Sequence, residues 1–264
     1  MTDRHYSMLF VALSIASALG AAIPAAGQVR VVEPGPDGAS GQRIQPYANE
    51  WTVTAIDRDG GRTPLGVWKD SVDVFVIDGA EHLRRVQSHL AADGSVKNTQ
   101  VHVVERATMM PVRSHFTAGA RVKHVDIAPG SVSGFLAPGA ELAALPVELR
   151  DAPPAFDFDI AGLMLVALDL APGDTVRFPS YALQPAGMGA NGLPTALEVA
   201  VGPVTVFAEG RESIEAGRLG AVEAVRAVVE RGARVMVFWL LDEPPYIVRL
   251  EVRTPRDVTA WEMP

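Results

Sequence analysis

From Tyr47 onward, hydrophobic positions recur with a period of two. In "WTVTAID", Trp51, Val53 and Ala55 share one face, and "RDGG" then supplies turn residues. "DSVDVFVID" sets Val72, Val74 and Val76 opposite Asp73, Phe75 and Ile77. "QVHVVERA", "RVKHVDIA", "ALEVAVG", "VTVFAEG" and "ARVMVFWLL" are further runs with the β-branched and aromatic enrichment of strands. In "YIVRLEVR", Tyr246, Val248, Leu250 and Val252 alternate with Ile247, Arg249, Glu251 and Arg253. That pattern predicts an antiparallel strand with one face in a core and the other in water. "AEHLRRVQSHLAA" and "AVEAVRAVVER" fit either period. Turn residues at hairpin spacing on both sides assign them to strands.

One stretch predicts a helix. "DFDIAGLMLVALDLAPGD" offers Asp157 or Asp159 as N-cap, then an apolar run, then Pro172–Gly173 as a stop. Its leucines and methionine fall on every side, so the helix is expected to be buried or to lie across a sheet. At roughly ten to twelve residues it is too short to span a bilayer. "LQPAGMGANGLPT", residues 183–195, reads as a long ordinary connection and not as a lid. The pattern as a whole predicts a mainly β fold with one short buried helix.

The N-terminus departs from this pattern. "MTDRHYS" is polar and carries Arg4, "MLFVALSIASALGAAI" is apolar throughout, and Ala25 and Gly27 fit the small-x-small rule for cleavage before Gln28. Residues 1–27 are therefore expected to be a signal peptide of the general secretory route, since no twin arginine precedes the apolar run. No cysteine follows it that could take a lipid. Residues 28–46, rich in Pro, Gly and small polar side chains, are expected to form a flexible leader. A single β-rich domain would fill 47–264. The expected location is periplasmic or secreted, with no stable membrane insertion after cleavage.

Composition narrows the function. The 264 residues carry a formal net charge of -8 and are 48% hydrophobic, enough for a sizeable core. An acidic chain lacks the electrostatic footprint for phosphate backbones, so nucleic acid is excluded as a partner. The absence of cysteine removes disulfides, thiolate zinc sites, iron–sulfur clusters and a cysteine nucleophile.

Candidate chemistry is sparse. Asp242 and Glu243 are adjacent, so on a strand they would point to opposite faces; followed by Pro244 and Pro245 they read as a hairpin turn. "DRDGG" imitates a calcium loop, but Trp68 stands where the twelfth-position glutamate is required. His82, His89, His102, His115 and His124 form no H-x-H or H-E-x-x-H motif and read as solvent-facing strand residues. Ser131 and Ser133 lack the pattern of a nucleophile elbow, and no phosphate loop is present. No catalytic residue, metal ligand or cofactor is predicted. The remaining candidates are apolar: Trp51, Phe207, Phe238, Trp239 and, on the helix, Leu163 could line a greasy cavity between a sheet and its covering helix.

"ERATMMPVRSHF", the helix closed by "LAPGDT", "VTVFAEGRESI" and "FWLLDEPPYIVRLEV", in that order, resemble a family of exported proteobacterial proteins classed only as a domain of unknown function. The resemblance runs loosely from about Tyr47 to the C-terminus. It implies a strongly curved antiparallel sheet, a half-barrel or open barrel similar to those of periplasmic lipoprotein carriers. It carries over no catalytic residue. The leading expectation is a non-enzymatic exported protein that binds an apolar, lipid-like molecule or an envelope partner. One rival is an envelope hydrolase using strand-borne His and Asp; another is an assembly factor that binds proteins by its sheet edge.

Overall fold

The computed structural model describes residues 28–140, 142–188, 194–232, 234–254 and 257–264. The expected signal peptide, 1–27, lies outside the described residues. Strand β1 (Arg30–Val31) and a 3-10 turn at Gly41–Arg43 precede β2 (Tyr47–Ile56), β3 (Arg62–Ile77), β4 (Ala80–Leu90) and β5 (Val96–Glu105). Next come β6 (Pro111–Ala118), β7 (Arg121–Ala128), β8 (Ser131–Ala137) and β9 (Leu145–Arg150). β10 (Phe156–Asp157), a 3-10 turn at Phe158–Ile160 and helix α1 (Ala161–Ala167) interrupt the strands. β11 (Thr175–Met188), β12 (Pro194–Glu215), β13 (Ala221–Arg231), β14 (Arg234–Leu240), β15 (Ile247–Arg253) and β16 (Val258–Glu262) complete the chain.

All the strands form one sheet, in the order β1-β11-β12-β13-β14-β15-β16-β2-β3-β4-β5-β6-β7-β8-β9, with β10 beside β11. The pairing is antiparallel except where β1 and β10 run parallel to β11. β16 pairs with β2 and so joins the two halves of the chain. The sheet is strongly curved but not closed, although β9 comes up against β12. Bulges in β2–β3, β4–β5, β5–β6, β12–β13 and β14–β15 add to the bend. At the first of these Gly66 adopts φ +128, and a Cβ there would stand 1.9 Å from the Leu90 carbonyl oxygen.

The curved sheet wraps around α1. Every residue of α1 is buried, which is why its sequence is apolar on all sides. Asp157 accepts a hydrogen bond from the Asp159 N–H and so caps the 3-10 turn that leads into the helix. The regular helix is shorter than the sequence suggests, because its first turn is wound as 3-10. Gly162 lets it sit close to the sheet: a Cβ would be 2.8 Å from Ile247 Cδ1 and 3.0 Å from Phe238 Cε1. The 28–46 segment, expected as a flexible leader, here pairs β1 with β11 and packs Val32, Ala39 and Ile44 into the same core.

Both ambiguous stretches are strands, β4 and β13. Of the long connection expected at 183–195, residues 183–188 belong to β11 and 194–195 to β12, while 189–193 lie outside the described residues. Gly187, Gly189 and Gly192 have the spacing of a dinucleotide-binding loop. Gly189 and Gly192 lie outside the described residues, but the flanking elements are the antiparallel strands β11 and β12, whereas that fingerprint opens a helix. In β15 the simple alternation breaks at the bulge, where Leu240 pairs with Ile247 and Trp239 with Arg249. Ile247 therefore joins Leu250 and Val252 in the main core, while Val248 packs with Trp239 on the other face.

Candidate functional site

Strand alternation aligns a row of polar side chains across the concave face. In register, Val72 pairs with Arg85, Arg85 with His102, His102 with Ser114 and Ser114 with Val125. Residues two positions away lie on the same face. Asp70, Gln87, Gln100, Phe116 and Lys123 therefore belong to this row. Charges placed inside must be paired, and these are. Arg85 donates to both Asp70 carboxylate oxygens at 2.8 Å, and the Tyr47 hydroxyl donates to Oδ2 at 3.0 Å. Burial works against the Arg85 charge, but Asp70 outweighs it and holds the guanidinium pKa above its ordinary value. Burial pushes the Tyr47 phenol far up, with Arg85 opposing and Asp70 adding to the rise. Gln87, with its amide oxygen turned toward them, accepts from Trp68 Nε1 and Arg85 Nη2 at 3.2 Å each.

Above this network lies a cavity of about 160 Å³ walled by Trp51, Trp68, Met236, Phe238, Leu250 and Trp261. Trp51 and Trp68 are register partners, and Trp68 meets Trp261 edge-on at 6.1 Å. Trp51 is 4% exposed, yet its indole N–H has no hydrogen-bond partner in the protein. A second cavity, of about 490 Å³, adjoins the first; Gln100, Phe158, Asp159 and Arg234 line both. Its walls are Val125, Ile127 and Val132 on one side and Tyr181, Leu183 and Leu197 on the other.

The larger cavity also carries charge. Lys123 donates to Asp159 at 2.7 Å, while Arg231 and Arg234 lie over the same Phe158 ring at 5.0 and 5.4 Å. Burial opposes the Lys123 charge, but Asp159 and Asp157 prevail and raise its pKa. Asp159 is itself exposed at one edge; desolvation by the surrounding protein opposes its charge, and Lys123 overrides it, holding the carboxyl down at about 2. His102 Nδ1 lies 3.1 Å from Asp157 Oδ2, so this imidazole braces the residue that caps the 3-10 turn. Beside it the Ser114 hydroxyl is buried and has no hydrogen-bond partner. A serine nucleophile needs a bond to its base, and Ser114 makes none to His102.

Of the sequence-derived candidates, Trp51 and Phe238 come together in the tryptophan-lined cavity. Leu163 is buried in the core beneath it, where Ala161 is the α1 residue that reaches the cavity wall. Trp239 points to the opposite face, under Arg249 and Arg226, and donates its indole N–H to Glu212. Phe207 is half-buried and alternates with the core residues Val206 and Ala208, which sends it to that opposite face too. Asp242 and Glu243 are exposed in the β14–β15 turn, where the Tyr246 N–H donates to the Glu243 carbonyl at 2.9 Å and Asp242 pairs with Arg211.

The histidines correct the sequence reading. His102 is 1% exposed because it falls on an inward position, in phase with buried Val104; His82, 8% exposed, sits next to inward Leu83 on the other face of β4, where the ring of its register partner Phe75 covers it. Asp70, Arg85, Ser114, Arg231 and Arg234 were not singled out from the sequence, and Asp157 only as a helix cap. Their signal was available for the strand residues: a charged side chain in phase with apolar neighbours, as Arg85 is with Leu83. Among the described residues no group of three or more His, Asp or Glu is arranged to hold a metal, and no helix is long and apolar enough to cross a membrane.

No family model and no curated protein matches the chain. Among solved structures it is similar to a Bacteroides fragilis protein presumed to be exported and described as having a YMCC-like fold. The identity is 12%, the match covers 83% of this chain and 95% of that one, and the TM-score is 0.35. So loose a likeness carries no functional conclusion.

Proposed function

We propose that this protein is exported and binds an apolar, lipid-like molecule on the concave face of its sheet. The observation that carries the reading is the cavity walled by Trp51, Trp68, Trp261 and Phe238, in which a buried indole N–H stands without a partner. Leaving such a donor unpaired costs about 1–3 kcal/mol, which an acceptor on a bound molecule would remove. Three indoles offer large apolar area with few rotamers to freeze, which suits them to gripping a flexible chain. The larger cavity beside it falls within the range of small-molecule sites, roughly 300–1,000 Å³. Export rests on the N-terminal sequence alone, with its apolar run and the cleavage pattern before Gln28.

The test is a mass spectrum of lipids extracted from the purified protein, paired with titration of an apolar fluorescent probe. Co-purified lipid, and probe binding weakened by Phe238→Ala and Trp51→Ala, are expected. An empty extract with probe binding indifferent to both substitutions would refute the reading.

A further inference from the structure

The larger cavity holds cations that the protein does not neutralise. Arg121, Lys123, Arg231 and Arg234 line it against two carboxylates, Asp157 and Asp159. Four positive charges less two negative leave an excess of two, in a chain whose net charge is -8. Lys123 is paired with Asp159, and Asp157 faces His102. Among the described residues, Arg121, Arg231 and Arg234 each lack a carboxylate within salt-bridge distance; they rest on aromatic rings or, for Arg231, also on the Ser180 and Ala200 carbonyls. Arg231 and Arg234 are moreover direct register partners across the β13–β14 hairpin. Like charges facing each other across strands destabilise a sheet. The ring of Phe158 offsets part of this, and burial still lowers the Arg231 pKa.

Two further groups point the same way. The Ser114 hydroxyl, on a residue 3% exposed, and the Arg231 Nε–H are buried without a hydrogen-bond partner, and both residues line this cavity. Unpartnered donors beside uncompensated guanidinium groups form a site for oxygens bearing negative charge. The tryptophan-lined cavity adjoins it through Phe158 and Arg234, so a single molecule can reach both.

We infer that the ligand is an anionic amphiphile, whose chain lies among Trp51, Trp68 and Trp261 and whose carboxylate or phosphate head is held by Arg231, Arg234 and Ser114. This rests on the apolar-ligand reading above and adds the chemistry of the head. The neutral chain would be gripped with or without the arginines; the charge would add charge-assisted hydrogen bonds available only to an anion.

Calorimetric titration of the purified protein with dodecanol, dodecanoate and dodecyl phosphate, each below its micelle concentration, separates the two readings. Both anions are expected to bind at least about tenfold more tightly than dodecanol, and the tighter of the two identifies the head group. Raising salt should erode that advantage without weakening dodecanol. Arg231→Gln combined with Arg234→Gln should bring the anions down to the affinity of dodecanol, and an unchanged dodecanol affinity shows that the variant is folded. If dodecanol binds and the anions bind no better, the anionic head is overturned and the apolar cavity stands. If none of the three binds, both readings fall.

Discussion

Arg85 grips Asp70 with two hydrogen bonds of 2.8 Å, and the two side chains are 6% and 0% exposed. The pair spans β3 and β4, with Arg85 lining the tryptophan-lined cavity and Tyr47 adding a third bond to the carboxylate. Such a pair need not add stability over an apolar substitute, but removing one partner strands a buried charge. Asp70→Asn is therefore expected to cost about 3–5 kcal/mol in urea unfolding. The double change Asp70→Leu with Arg85→Met should cost less than Asp70→Asn alone. Equal costs would mean that the two side chains are not coupled.

Adjacent aromatics on β14 should behave differently. Phe238 and Trp239 are both buried, so truncating either to Ala is expected to cost about 3–5 kcal/mol. Only Phe238 lines the cavity, so at equal folded fraction Phe238→Ala should change probe affinity and Trp239→Ala should not. Loss of probe binding in Trp239→Ala would place the site on the wrong face of the sheet.

The acid pair of the β14–β15 turn should be nearly silent. Asp242→Asn with Glu243→Gln is expected to shift stability by no more than about 0.5 kcal/mol, because both side chains are exposed and the Arg211 pair is a surface one. A larger loss of stability or of binding would contradict the turn assignment.

Asp159 should contribute to acid unfolding. Its carboxyl lies below the ordinary value of 3.8, at about 2, because Lys123 overrides the effect of desolvation. A depressed carboxyl stabilises the fold above its unfolded pKa, and that contribution is lost as pH falls through the folded value. The window is therefore about pH 4 down to about pH 2. Urea midpoints measured across it should fall more steeply for the wild type than for Asp159→Asn; parallel slopes would rule out this role for the pair.

Export can be checked directly. N-terminal sequencing of the secreted product is expected to begin near Gln28, and a chain retaining residues 1–27 in the membrane fraction would overturn the expected cleavage.

Much of the architecture was legible in local pattern. Period-two runs from Trp51 to Val252 gave the strands, because alternate side chains must meet either core or water. The all-apolar stretch at Leu163 gave a helix with no wet side, and the sheet encloses it. The Pro-Pro sequence after Glu243 gave a turn. What local pattern could not supply was which residues of distant strands share a face and a register. Trp239 and Phe238 look equally suited to a cavity until the curl of the sheet decides which of them points inward. Nor does anything near "AEHLRRVQ" announce that Arg85 will lie against Asp70, or anything near "ERGAR" that Arg231 and Arg234 will lie over Phe158. Those contacts depend on strand register and on where the chain between β9 and β11 folds back into the concave face. Only the three-dimensional arrangement sets these, because the desolvation and Coulomb energies that make a buried charge informative exist only once the sheet has curved around it.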